Sequence, residues 1–168
     1  HSSTEGLNEY FLKMKSAGIM PSIDTQGAQL RVEALPDSSN FESSNRVCIS
    51  FGQNYSVENK CGLPRIFLNH PEVSTQMDVG DKIKIDFGGL VVQLLSSDSD
   101  GDWLAEVVAG GSVILNRAID IQGKSAILSP LTAFDIEAIT YARSMGCNKV
   151  YASFVSSAQD VSFIRNVI

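Results

Sequence analysis

Ile23-Asp24-Thr25-Gln26-Gly27-Ala28-Gln29-Leu30-Arg31 ends one short apolar run and begins a long change of pattern. Ile19 to Asp24 reads as a buried strand that delivers Asp24 and Thr25 to its C-terminal edge. Gly27 lets the backbone turn sharply there, and Arg31 follows closely enough in sequence to serve the same site. Such strand ends are where α/β barrels collect ligand-binding groups. Upstream, Leu7, Tyr10, Phe11 and Met14 recur at helical spacing. Thr4 is placed to cap that helix and Gly18 to end it.

Downstream of Gln29 the period changes to two. Leu30, Val32 and Ala34 alternate with Arg31 and Glu33, and Val47, Ile49 and Phe51 alternate with Cys48 and Ser50. Similar short runs follow at Arg65–Leu68, around Ile83 and Ile85, and at Leu90–Leu95, Trp103–Val108 and Ser112–Leu115. Turn clusters separate them, and the Ser-rich 37–45 and acidic 96–102 stretches read as solvent loops. Strands at this spacing predict a small antiparallel barrel or sandwich over 28–128. After Pro130 the helical period returns, with start signals at Thr132/Asp135 and Ser157/Asp160 on either side of a strand over Lys149–Val155. The whole is therefore of mixed α/β and all-β class, a β domain inserted into a β/α alternation. The alternating segments are 1–27 and 129–168, too few for a closed β/α barrel, and are read as a segment of a longer chain. Uncovered strand edges there predict self-association.

The 168 residues carry 43% hydrophobic and 19% charged side chains, with a formal net charge of −6. That balance, with no basic stripe, argues against a nucleic acid partner, and none is expected. No apolar run is long enough to cross a bilayer, so no membrane partner is expected. Cys48, Cys61 and Cys147 are too dispersed for a metal or disulfide pattern, and a cytoplasmic location is expected. Asp98, Asp100 and Asp102 read as a solvated acidic turn, Gly88-Gly89 and Gly110-Gly111 as hairpin turns, and Trp103 as an anchor of the β core. The sequon Asn54-Tyr55-Ser56 bears on function only in a secreted protein.

Taken in order, the segments resemble those of pyruvate kinases. Asp24-Thr25-Gln26-Gly27-Ala28-Gln29-Leu30-Arg31 resembles the family's D-T-K-G-P-E-I-R, and Val79 to Asp86 resembles V-G-D-K-I-x-I-D. Glu106 to Gly111 is similar to E-V-x-N-G-G, and Leu115 to Gly123 to L-x-x-K-K-G-V-N-L-P-G. Leu131-Thr132-Ala133-Phe134-Asp135 resembles L-T-E-K-D, and Tyr151 to Val161 resembles F-A-S-F-I-R-x-A-x-D-V.

The resemblance implies a TIM-type β/α barrel, present here in part, carrying a small β-barrel lid. It implies phosphoryl transfer from phosphoenolpyruvate to ADP, giving ATP and pyruvate in glycolysis, with Mg²⁺ and K⁺. Two polyanions must approach in line, so such catalysis is positioning and charge neutralisation. On matching positions, Asp24 and Thr25 stand where the family binds K⁺, and Thr4 could add a hydroxyl ligand. Arg31 and Arg117 match phosphate-side cations, and Ser153 and Phe154 match the S-F pair beside the substrate. Departures are Gln26, Ala28 and Gln29 for Lys, Pro and Glu, Phe87 for a lid Asp, Asn116 for a lid Lys, Gln122 for Pro and Ser156 for Arg. The family's catalytic Lys and Mg²⁺ carboxylates would follow Ile168, so this stretch by itself is expected to be inactive. The alternative is a non-catalytic paralogue acting as a binding or interaction module.

Overall fold

A computed structural model describes residues 4–36, 39–52, 62–86 and 89–168, with side chains from Gly6 onward. The sequon at Asn54, Cys61, Phe87, Gly88 and the proposed hydroxyl of Thr4 lie outside that description. The chain divides into two compact units, His1–Ala28 with Ser129–Ile168, and Gln29–Leu128.

The first unit contains α1 (Thr4–Ser16), β1 (Ile23–Asp24), α2 (Ala133–Ser144), β11 (Val150–Tyr151) and α3 (Ala158–Val167). β1 and β11 pair in parallel, Ile23 opposite Val150 and Asp24 opposite Tyr151. Parallel strands require a crossover, and α2 lies on the chain between them. Both downstream helices begin with a complete capping box, Thr132 with Asp135 and Ser157 with Asp160. Phe11, Ile23, Leu131, Ile139, Ala142, Cys147 and Ile164 form the core, and Phe11 meets Tyr141 edge to face with ring centroids 5.8 Å apart. Both strands are shorter than expected: Ile19, Met20, Tyr151 and Val155 are exposed and only two residues pair on each side. Tyr10, expected on the buried face of α1, is also exposed.

The second unit is a seven-stranded sheet. Its members are β2 (Val32–Ala34), β4 (Arg46–Phe51), β5 (Arg65–Leu68), β6 (Lys82–Ile85), β7 (Leu90–Ser97), β8 (Trp103–Ala109) and β10 (Ile119–Ile121). They run in the order β10-β6-β7-β8-β4-β5-β2. An antiparallel bridge from Arg31 to Ala118 joins the two ends of that order, with Val32 N–H donating to the Arg117 carbonyl at 3.0 Å. The sheet is thereby nearly closed as a barrel. Ile49, Ile66, Leu68, Ile83, Ile85, Leu90 and Leu94 fill its interior with no measurable exposure.

The antiparallel expectation needs correction, because β4 and β5 are parallel, Cys48 opposite Arg65 and Phe51 opposite Leu68. The connection over residues 52–64 is long enough for the crossover this demands. The Ser-rich stretch is also not simply a loop. β3 (Asn40–Phe41) pairs with β9 (Gly111–Ser112), and Phe41 enters the core. Gly110-Gly111 accordingly is not a hairpin turn. A Cβ at Gly111 would fall on the Gly89 carbonyl, and one at Gly110 would lie 2.7 Å from the Phe41 carbonyl oxygen. Trp103 is buried in the β core, its indole N–H donating to Ser74 Oγ at 3.2 Å.

Candidate functional site

The parallel pairing places the ends of β1 and β11 side by side, and the polar groups there bond to each other. Ser153 Oγ donates to Asp24 Oδ1 at 3.1 Å. Ser153 N–H donates to Thr25 Oγ1 at 3.0 Å, and Thr25 N–H donates to the Tyr151 carbonyl at 2.9 Å. Thr25 is buried while Asp24 is exposed, so the threonine anchors the edge and the carboxylate faces outward. Gly27 has φ +64°, and a Cβ there would lie 2.7 Å from the Ser153 carbonyl oxygen and 3.0 Å from the Phe154 ring. Phe154 itself has φ 57°. A left-handed non-glycine residue costs about 1–2 kcal/mol, a strain that tends to sit at functional positions. Asp24, Thr25, Ser153 and Phe154 are thus brought together within one unit.

In the second unit Arg31 and Arg117 share the seam that closes the barrel. Arg31 Nη1 donates to the Asn116 carbonyl at 2.7 Å, and Arg117 Nε lies 3.6 Å from Asp86 Oδ2. Asn116 and Asp86 both have positive φ, 64° and 54°. The Arg117 side chain is 46% exposed and that of Asp86 27%. A pair this wet is worth about 0–1 kcal/mol, so an anionic ligand can compete for the guanidinium. The Arg31 backbone is pinned by Asn69, whose side-chain carbonyl accepts from Arg31 N–H at 2.7 Å.

Two participants escaped sequence reasoning. Asn69 stands in a turn with no motif around it. Asp135 is legible as a capping residue, but its carboxylate also accepts from Gln26 N–H at 2.7 Å and Gly27 N–H at 3.1 Å. Those partners are more than a hundred residues away in sequence, and only the fold brings them within reach.

The side-chain donors brought together at the ends of β1 and β11 are all oxygens: the Asp24 carboxylate, the Ser153 hydroxyl and the Thr25 hydroxyl. Such hard donors suit alkali and alkaline-earth cations rather than soft metals. Among the described residues no group of three or more His, Cys, Asp or Glu side chains is placed to hold a metal ion.

Residues 8–168 match the family described as pyruvate kinase, barrel domain. The chain belongs to the pyruvate kinase family. Plastidial pyruvate kinase 2 of Arabidopsis thaliana is 26% identical over 165 residues, covering 96% of this chain and 27% of that protein. A pyruvate kinase of Mycobacterium intracellulare is 30% identical over 104 residues, 62% of this chain and 22% of the relative. Pyruvate kinase 2 of Trypanosoma brucei brucei is 23% identical over 146 residues, 86% of this chain and 29% of the relative. The chain spans about a quarter of the length of these pyruvate kinases. No helix among the described residues is long and apolar enough to cross a membrane.

Proposed function

We propose that this chain supplies the lid and adjoining barrel elements of a pyruvate kinase, transferring the phosphoryl group of phosphoenolpyruvate to ADP. On this reading residues 28–128 are the lid barrel, inserted between two strands of a TIM-type barrel to which 1–27 and 129–168 contribute. The observation that carries it is the edge where Asp24, Thr25 and Ser153 converge on parallel strands. Oxygen ligands on a strand edge suit K⁺, with Asp24 as the charged ligand and Thr25 beside it. A bound K⁺ would supply fixed positive charge against the substrate phosphate. Arg31 and Arg117 would add cationic donors for phosphate oxygens. Ser153 orients the Asp24 carboxylate, and the close approach of Gly27 to Ser153 and Phe154 keeps the edge compact. Mg²⁺ in this reaction would rest on groups other than the described residues. The location is proposed as cytoplasmic, from the dispersed cysteines.

The test is pyruvate release from phosphoenolpyruvate and ADP, coupled to lactate dehydrogenase, by the protein carrying this sequence, with KCl varied. Activity that rises with K⁺ is expected. Asp24→Asn should raise the half-activating K⁺ concentration roughly tenfold, the effect of losing one charged contact of about 1.5 kcal/mol. Turnover indifferent to K⁺, or to Asp24→Asn, would contradict the assignment. The replacement of the family's lysines and acids by Gln26, Gln29 and Asn116 favours a second reading, a non-catalytic binding module. Phosphoenolpyruvate or nucleotide binding with no pyruvate formed would select it.

A further inference from the structure

We propose that Asp135 is a positioning residue that fixes the Asp24–Gly27 turn, using the carboxylate that also caps α2. The consequence for cation binding rests on the reading above; the clamp itself does not. Asp135 is only 2% exposed, and a buried carboxylate is tolerated where its oxygens are fully hydrogen-bonded. Oδ2 accepts from Thr132 N–H at 2.9 Å, Thr132 Oγ1 at 2.8 Å and Gly27 N–H at 3.1 Å. Oδ1 accepts from Gln26 N–H at 2.7 Å. The cap therefore occupies one oxygen, and the bond to Gln26 engages the other. A residue that served the helix alone would leave Oδ1 outside the cap with no role.

The planarity of the peptide bond turns this contact into a geometric control. Gln26 N–H and the Thr25 carbonyl belong to one trans peptide, and in a trans peptide those two groups point in opposite directions. Holding Gln26 N–H on Asp135 directs the Thr25 carbonyl away from it. The Thr25 hydroxyl is held independently by Ser153 N–H. The turn is thus fixed from α2 on one side and from the end of β11 on the other. Asp24 gains its place from both restraints without touching Asp135.

Two substitutions separate the clamp from the cap. Thr132→Ala removes the side-chain half of the capping box and leaves Asp135 bonded to the backbone amide of position 132 and to both turn amides. Asp135→Ala removes the carboxylate half of the box and the turn bonds together, and keeps the Thr132 hydroxyl on the backbone amide of position 135. Amide hydrogen exchange at Gln26 and Gly27, read by NMR without ligand, should accelerate roughly tenfold or more in Asp135→Ala. Thr132→Ala should leave both amides within about twofold of the parent while exposing the first turn of α2. Equal acceleration in the two variants, or none in Asp135→Ala, would overturn the proposal. Should Asp135→Ala fail to fold, the unsubstituted chain decides it. Through-hydrogen-bond couplings from the Gln26 and Gly27 amides to the Asp135 carboxyl carbon support the clamp, and their absence refutes it. These readouts need no substrate or cation, so they decide the clamp whether or not the phosphoryl-transfer reading fails. If that reading holds as well, Asp135→Ala raises the half-activating K⁺ concentration several-fold and Thr132→Ala does not.

Discussion

Replacing Gly27 by alanine tests the tightness of the strand edge directly. The new Cβ would sit 2.7 Å from the Ser153 carbonyl oxygen and 3.0 Å from the Phe154 ring, at φ +64°. Gly18 supplies the control, because its φ is +74° but nothing lies within 4 Å of a Cβ there. Both substitutions incur the left-handed penalty of about 1–2 kcal/mol, offset by about 0.4–1 kcal/mol from a stiffer unfolded chain. Gly18→Ala should therefore cost about 1 kcal/mol. Gly27→Ala must also displace a backbone carbonyl. That movement sacrifices at least one bond of about 1–1.5 kcal/mol, either Ser153 N–H to Thr25 or Gly27 N–H to Asp135. A total of about 2–3 kcal/mol follows. Urea unfolding followed by far-ultraviolet ellipticity is the assay, since α1, α2 and α3 all lie in this unit. Gly27→Ala no more harmful than Gly18→Ala would refute the close approach.

Leu94, fully buried in the β core, should cost about 2–5 kcal/mol on truncation to alanine, read through fluorescence of the single tryptophan in the same core. Ser157→Ala should destabilise α3 by about 1 kcal/mol through loss of its cap, measurable as faster amide exchange at Asp160. Acid and base should each loosen the Asp78–Asp81–Lys124 cluster. Burial opposes ionisation of Asp81, but hydrogen bonds from Lys124 and the Asp78 amide outweigh it and hold the carboxyl below its ordinary 3.8. Its contribution is present above that value and is lost as pH falls through the lower folded one. Lys124 is raised above 10.5, chiefly by its hydrogen bond to Asp81, so its contribution is present below 10.5 and is lost as pH rises through the folded value. Lys124→Met should flatten both limbs of the barrel's stability profile.

Much of the fold was legible because its signals are local. Alternation of Ile83 and Ile85 with lysines, and of Leu90, Val92 and Leu94 with their neighbours, states which face is buried. The Thr132/Asp135 and Ser157/Asp160 spacings mark helix starts that the structure forms as capping boxes. Non-local features were hidden. Nothing in Arg46–Phe51 announces a parallel neighbour, since strand direction is set by a connection rather than by the strand's own residues. Phe41, one apolar residue in a polar stretch, offered no period to read, yet it packs in the core. At the site, the family likeness marked Asp24, Thr25, Ser153 and Phe154 one by one, whereas the reach of Asp135 to Gln26 and Gly27 arises only when distant parts of the chain fold together.

Central to the functional reading is that the paired ends of β1 and β11 form one cation-binding edge. Amide chemical shifts of the labelled chain, titrated with KCl against NaCl at constant ionic strength, address it most directly. Saturable, K⁺-selective shifts confined to residues 24–27 and 151–154 are predicted. Equal responses to the two salts, or shifts scattered over the rest of the chain, would contradict it.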